Sequence, residues 1–183
     1  MKKFGVKEVV ATAICAALVF VLLRYVSIPT PLPDTPLSIH NGILAFFAVL
    51  FGPAVGFVAG FIGNMMVDVT AGWGIWWSWI VPTGLYGLII GIFCKDIDLR
   101  SGNFGTKEAI RFNVVQVIGA VICWGLVAPL SDIIFYGEPA KKVFMQGLLI
   151  GLSAIFATAI VGTLLCRVYA SSKAKSNSLS KDA

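Results

Sequence analysis

Five residues spaced four apart, Gly52, Gly56, Gly60, Asn64 and Asp68, lead into a knot of indoles at Trp73, Trp76, Trp77 and Trp79. Residues at i and i+4 share one helix face. The spacing therefore predicts a helix whose face is smooth at one end and carries a carboxamide and a carboxylate at the other. Small residues in that pattern allow close backbone approach of a neighbouring helix. A carboxylate in an apolar helix is costly to keep and marks a candidate site. The indoles beyond it can stack on a flat ring or anchor at a membrane surface. The other residues of suitable chemistry are His40, the single histidine, with Trp124, Asp132, Tyr136 and Gln146. This inventory is one of binding groups rather than catalytic ones. There is one histidine and neither an H-E-x-x-H nor a G-x-S-x-G pattern, so an enzyme is not expected. The four cysteines fall in or beside apolar runs without metal-ligand spacing, so they read as small buried hydrophobes and no metal is expected.

The elements that must position these groups are membrane helices. The chain is 58% hydrophobic and 13% charged, with a mean hydropathy of +0.90. A soluble domain carries about 25% charged residues. The expected fold is an all-α integral membrane protein of six spans. These are placed at about 9–26, 37–51, 53–70, 75–94, 112–130 and 143–169. Gly52-Pro53 supplies the break between the second and third. Residues 27–41 hold four prolines and read as a long loop, and 131–142 reads as a second one. Residues 1–170 form one domain, and the polar tail 171–183 is expected to be disordered.

Charge sets the orientation. Of the 14 Lys and Arg residues, all but Arg24, Lys141 and Lys142 fall on the side that holds both termini. The positive-inside rule places the termini in the cytoplasm and the two long loops, 1–2 and 5–6, outside. His40, Asn64, Asp68, the tryptophan knot, Trp124, Asp132, Tyr136 and Gln146 then gather at the outer side. The expected site is an outward pocket lidded by the loops. The net charge of +5 lies in short flanks rather than a patch, so nucleic acid is not an expected partner.

The stretch FGPAVGFVAGFIGNMMVDVTAGWGIWWSW, set in a small six-span chain, resembles the S components of energy-coupling factor (ECF) transporters. The likeness runs over nearly the whole chain up to the tail. The family's A-x-x-x-A spacing in helix 1 is matched by Ala13 and Ala17, with Ala16 beside them. The resemblance implies a high-affinity, membrane-embedded substrate-binding subunit of an ATP-driven vitamin importer in a bacterial cytoplasmic membrane. It implies docking through those alanines onto a transmembrane coupling subunit seated on two ATPases. No G-x-x-x-x-G-K-[ST] loop is present, so ATP belongs to the partners and no cofactor is expected in this chain. Aromatic walls with Asn, Asp, Gln and His suit a small vitamin or precursor with one flat ring, hydroxymethylpyrimidine or pyridoxine fitting best. Other small vitamins and purine-like rings stay open. The competing reading is a stand-alone carrier or channel, for which the polar residues of the fourth and sixth spans are sparse.

Overall fold

The computed structural model describes residues 5–72 and 74–179, and it is built from six helical rods. These are α1 (Val6–Tyr25), α2 (His40–Phe51), α3 (Pro53–Ala71), α4 (Trp77–Phe93), α5 (Thr106–Tyr136) and α6 (Ala140–Leu179). Four of them, α1, α3, α5 and α6, are long and apolar enough to cross a membrane. At 12 and 17 residues, α2 and α4 are shorter apolar helices. No strand occurs among the described residues; a single antiparallel bridge joins Ile28 to Leu37.

The Gly52-Pro53 break falls where expected. Gly52 adopts φ +105°, a region that favours glycine, and Pro53 opens α3 at the position where its missing N–H costs nothing. The glycine stripe then packs α3 against α4, backbone to backbone. A Cβ built on Gly56 would lie 2.6 Å from the Gly87 carbonyl oxygen, and one on Gly87 would lie 2.4 Å from that of Gly56. Gly60 faces the Thr83 carbonyl at 2.8 Å in the same sense. The other side of α3 meets α1, where a Cβ on Gly63 would lie 2.7 Å from Val19. Only residues without side chains permit these distances, so the stripe is a packing seam up to Gly60 and becomes polar beyond it.

Three expectations are corrected. Residues 131–142 are not a long loop. Helix α5 runs unbroken to Tyr136, and only Gly137 to Pro139 separate it from α6. The polar residues there read as loop, but Asp132 turns inward and bonds to α4, so the helix continues past it. Helix α2 begins at His40 rather than Leu37, because Leu37 pairs with Ile28 and the Ser38 hydroxyl donates to the Leu22 carbonyl at 3.1 Å. Helix α4 begins at Trp77 rather than Ile75, because the Trp76 N–H is held by the Asp68 carboxylate at 2.9 Å. At the other end of the chain, helix continues past residue 170 to Leu179.

Helix α5 carries a widened, π-helical stretch at Val121–Val127, just before Pro129. Proline removes one helical hydrogen bond, and a wide turn absorbs the loss. This stretch pushes Trp124 inward. Its carbonyl sits 2.2 Å from where a Cβ on Gly147 of α6 would be. The Trp124 ring packs on Tyr86 with centroids 4.8 Å apart, and both are fully buried. Below them the Tyr86 hydroxyl meets Thr158 at 2.8 Å and Gln116 at 3.2 Å, and the Gln116 amide donates to the Ile155 carbonyl. These polar groups of the mid-bundle satisfy one another. All four cysteines are buried, as expected.

Candidate functional site

Where α1 and α3 end and α2 and α4 begin, the seam opens into a cavity of about 100 Å³. All six helices contribute to its wall, as does the first loop. Asn64, Val67 and Asp68 come from the end of α3, one and two turns beyond Gly60. Trp76, Trp79 and Thr83 come from the start of α4, and Trp124 rises from the π-helical stretch of α5.

Two carboxylates organise this end. Asp68 accepts the Trp76 N–H and so fixes the turn between α3 and α4. Asp132 receives the Ser78 hydroxyl and, at 2.8 Å, the Trp79 indole N–H, which ties α5 to α4. Both acids are buried, and their bonds to neutral donors keep them satisfied inside an apolar bundle. Gln146 of α6 donates to the Pro33 carbonyl at 3.0 Å and to the Thr35 hydroxyl at 3.1 Å. It therefore fastens the proline-rich loop across the cavity. The loop is braced within itself by the Thr30 hydroxyl, which donates to the Thr35 carbonyl. At its tip Asp34 takes φ +54°, a left-handed conformation that aspartate tolerates better than most residues.

His40 stands apart from these structural bonds. It is 5% exposed and lines the cavity, and its Nδ1 has no hydrogen-bond partner. Buried polar nitrogens are seldom left so, because an unmade bond costs about 1–3 kcal/mol.

Of the residues singled out from the sequence, His40, Asn64, Asp68, Trp76, Trp124, Asp132 and Gln146 converge on this one cavity. Trp77 and Tyr136 do not line it. Trp77 is half-exposed and stacks on Phe61 on the outside of the bundle. Tyr136 backs the wall from behind: its ring lies 4.5 Å from that of Trp76, and its hydroxyl accepts the Trp77 N–H. Trp73 falls outside the described residues. Trp79, the last indole of the knot, lines the cavity too, and the lining residues that the sequence did not single out are chiefly Thr83, Asp34, Glu138 and Lys142. Two of these carried a usable signal. Thr83 follows Trp79 by one helical turn, and Lys142 follows Glu138 by the same interval, closing an ion pair of 2.8 Å.

The alanines expected to dock divide. Ala13 and Ala17 lie on the exposed face of α1, whereas Ala16 is buried, its carbonyl 2.9 Å from a Cβ on Gly63. Ala16 therefore packs against α3 and is not part of the outward face. No group of residues able to hold a metal ion occurs among the described residues.

An apolar helical bundle of this kind, with a polar, indole-walled cavity at one end, is a membrane protein. Its sequence matches the family model described as "ECF-type riboflavin transporter, S component" over residues 3–171, and the chain belongs to that family. S components are substrate-binding subunits of transporters and not themselves enzymes. The chain is 46% identical to a "UPF0397 protein" of Lactococcus lactis subsp. cremoris (strain NZ9000), over the full length of both. It is equally similar, at 46% over both full lengths, to one of Lactobacillus helveticus (strain DPC 4571). One from Streptococcus pneumoniae (strain CGSP14) is 41% identical over 98% of each chain.

Proposed function

We propose that the cavity is the substrate site of an ATP-driven ECF importer, and that the substrate is a small water-soluble vitamin or precursor with one flat ring. The observation that carries this reading is His40, a buried histidine with an unmade bond, in a cavity walled by Trp76, Trp79 and Trp124. Indole faces contribute stacking, and a free ring nitrogen fixes orientation. The family description names riboflavin. A cavity of about 100 Å³ is small beside the about 300–1,000 Å³ of sites for drug-sized ligands, which favours a single ring such as hydroxymethylpyrimidine or pyridoxine.

The chain binds and its partners power. ATP hydrolysis belongs to two ATPase subunits joined through a transmembrane coupling subunit, which meets α1 at the exposed Ala13 and Ala17. Six spans with both termini cytoplasmic put the cavity at the outer surface, in keeping with the distribution of Lys and Arg. A stand-alone carrier is disfavoured by the mid-bundle, where Tyr86, Gln116 and Thr158 bond to one another under a plug of Trp124.

The test is uptake of the co-purifying small molecule, identified by mass spectrometry, into proteoliposomes. Uptake should require ATP and the partner subunits; uptake by the chain alone would establish the carrier instead. Ala17→Trp should abolish co-purification with the coupling subunit and leave ligand binding within about twofold, since close helix approach needs small side chains. An intact complex in that variant removes α1 as the docking face. For orientation, a cysteine replacing Glu138 should label from outside the cell and one replacing Ser101 should not.

A further inference from the structure

The end of the bundle opposite the cavity carries a cluster of charge that the transport reading does not use. Where α1 begins, α2 stops and α6 nears its end, Lys7, Arg100 and Lys173 line one cleft together with Phe51 and Tyr169. We propose that this cleft seats the phosphate of an anionic phospholipid, with the headgroup among the three cations and the acyl chains along the apolar bundle beside it. The proposal does not depend on what the cavity binds.

The cations come from three separate flanks of the chain, and only the fold makes them one patch. Lys7 lies in the first turn of α1, Arg100 in the short turn Leu99–Ser101 between α4 and α5, and Lys173 late in α6. All three are exposed. Gathered like charges repel one another and attract a counter-charge. Among the described residues the ion pairs are Arg111 with Asp96 and Lys142 with Glu138, and no acid lines the cleft. Glu8 lies within the field of Arg100 and Lys7, but its carboxylate accepts the Gly5 N–H at 2.9 Å. Asp98 accepts the backbone N–H of Arg100. The cations are also held in place. The Arg100 guanidinium donates to the Leu50 carbonyl at 3.4 Å and lies 5.5 Å from the Phe51 ring centroid, and the Lys173 ammonium stands 5.8 Å from that of Tyr169. One bond to Leu50 leaves most of the guanidinium fork for a phosphate, whose geometry it matches.

The surface next to the cleft selects a lipid over a soluble anion. Phe51 stacks on Phe47, one turn deeper in α2, with centroids 5.7 Å apart, and Tyr169 meets Phe46 at 5.9 Å. Leu164 and Val168 of α6 and Val6 and Val10 of α1 are exposed beside them. Charge, then aromatic rings, then bare apolar helix is the order of a membrane interface. Basic pockets between membrane helices on the cytoplasmic side take phosphate headgroups, and this is the end that holds both termini. Ala13 and Ala17 point about 80–120° away from Lys7 around α1, so the cleft is separate from that face.

The experiment compares the full-length chain with two triple variants in detergent. Lys7→Gln, Arg100→Gln and Lys173→Gln together strip the cleft. Lys95→Gln, Lys107→Gln and Arg167→Gln together remove as much charge from the same end at residues outside it. Native mass spectrometry reads the retained lipid, and thermal melts are run with added phosphatidylglycerol, phosphatidylcholine or inorganic phosphate. The parent and the second variant should retain phosphatidylglycerol and gain in Tm from it, and phosphatidylcholine should raise neither. The cleft variant should retain about tenfold less and gain nothing, with a parental Tm in the absence of lipid. Should it not fold, Lys173→Gln alone, at an exposed position, should lower retention about threefold, and no change there overturns the proposal. Equal loss in both triple variants would trace the effect to overall charge and overturn the site. Stabilisation by inorganic phosphate to the same extent overturns the lipid as the occupant. Parental lipid retention with loss of the co-purifying coupling subunit in the cleft variant overturns it in favour of a protein partner.

Discussion

The two halves of the bundle are held by different means. Along the α3–α4 seam, Gly56, Gly60 and Gly87 bring carbonyl groups within 3 Å of where a side chain would begin. Between α5 and α6 the tight point is Gly147 against the Trp124 carbonyl. Elsewhere a Cβ on Gly125 would find nothing nearer than Val121 at 3.8 Å, and one on Gly151 would meet Trp124 at an ordinary 3.5 Å. The first half is a fixed frame that sets the height of Asn64 and Asp68. The second has wide turns at Val121–Val127 and Thr158–Gly162. The cavity lies where these halves meet. It draws fixed carboxylate geometry from one and a displaced tryptophan from the other. Interior packing transmits strain, so the two halves should respond unequally to the same kind of change.

The largest effect is expected in the frame. Gly87→Val places a branched side chain against the Gly56 backbone, 2.4 Å from Cβ to oxygen, and should cost about 3 kcal/mol or more. Thermal unfolding in detergent would register it, or the loss of monodisperse protein. A variant that keeps the parental Tm would mean that the seam is far more compliant than its geometry. Next comes the tie between the halves. Asp132→Ala strands the buried Ser78 hydroxyl and the half-buried Trp79 indole N–H, at a cost of about 2–4 kcal/mol. Asp132→Asn keeps an acceptor oxygen and should fall between that variant and the parent in the same melt.

Smaller still is the contrast between neighbouring indoles. Trp76→Ala removes a cavity wall and should weaken ligand binding about tenfold, or ~1.4 kcal/mol. Trp77→Ala removes a ring that faces outward onto Phe61 and should stay within about threefold. Calorimetry with the co-purified ligand separates them, and equal losses would mean that the wall has been assigned to the wrong ring. The smallest effect is Gly125→Ala. The added methyl meets only Val121, at an ordinary contact distance of 3.8 Å, so the variant should be neutral or stabilised by up to about 1 kcal/mol, the reverse of Gly87→Val in the same melting assay.

Much of this was legible in the chain itself, and the failures are instructive. Spacing of four located the seam and the polar groups above it, because a helix repeats its faces whatever surrounds it. Gly52-Pro53 announced its break because both residues act on the local backbone. Residues 131–136 were misread because polarity signals a loop only when nothing inside the protein accepts the polar group. Asp132 finds Ser78 and Trp79, 54 and 53 positions away. Trp76 and Trp77 could not be told apart for a related reason. The Asp68 carboxylate holds one at the mouth of the cavity, and the next residue starts a helix and points elsewhere.

By itself the sequence determined that the chain is helical and apolar enough for a membrane, where two of its helices must break, and which face of α3 is smooth. Hydropathy, proline and glycine geometry, and helical periodicity act over a few residues and need no partner. Only the tertiary structure decided that four acids meet one lysine around a single cavity, that Trp79 and Thr83 belong to its wall, and that His40 keeps an unmade bond there. Those facts depend on the rotation of six helices about their own axes and on contacts such as that of Gln146 with Pro33, 113 residues apart. Helix rotation is set by packing across the whole bundle, and no local stretch of sequence encodes it.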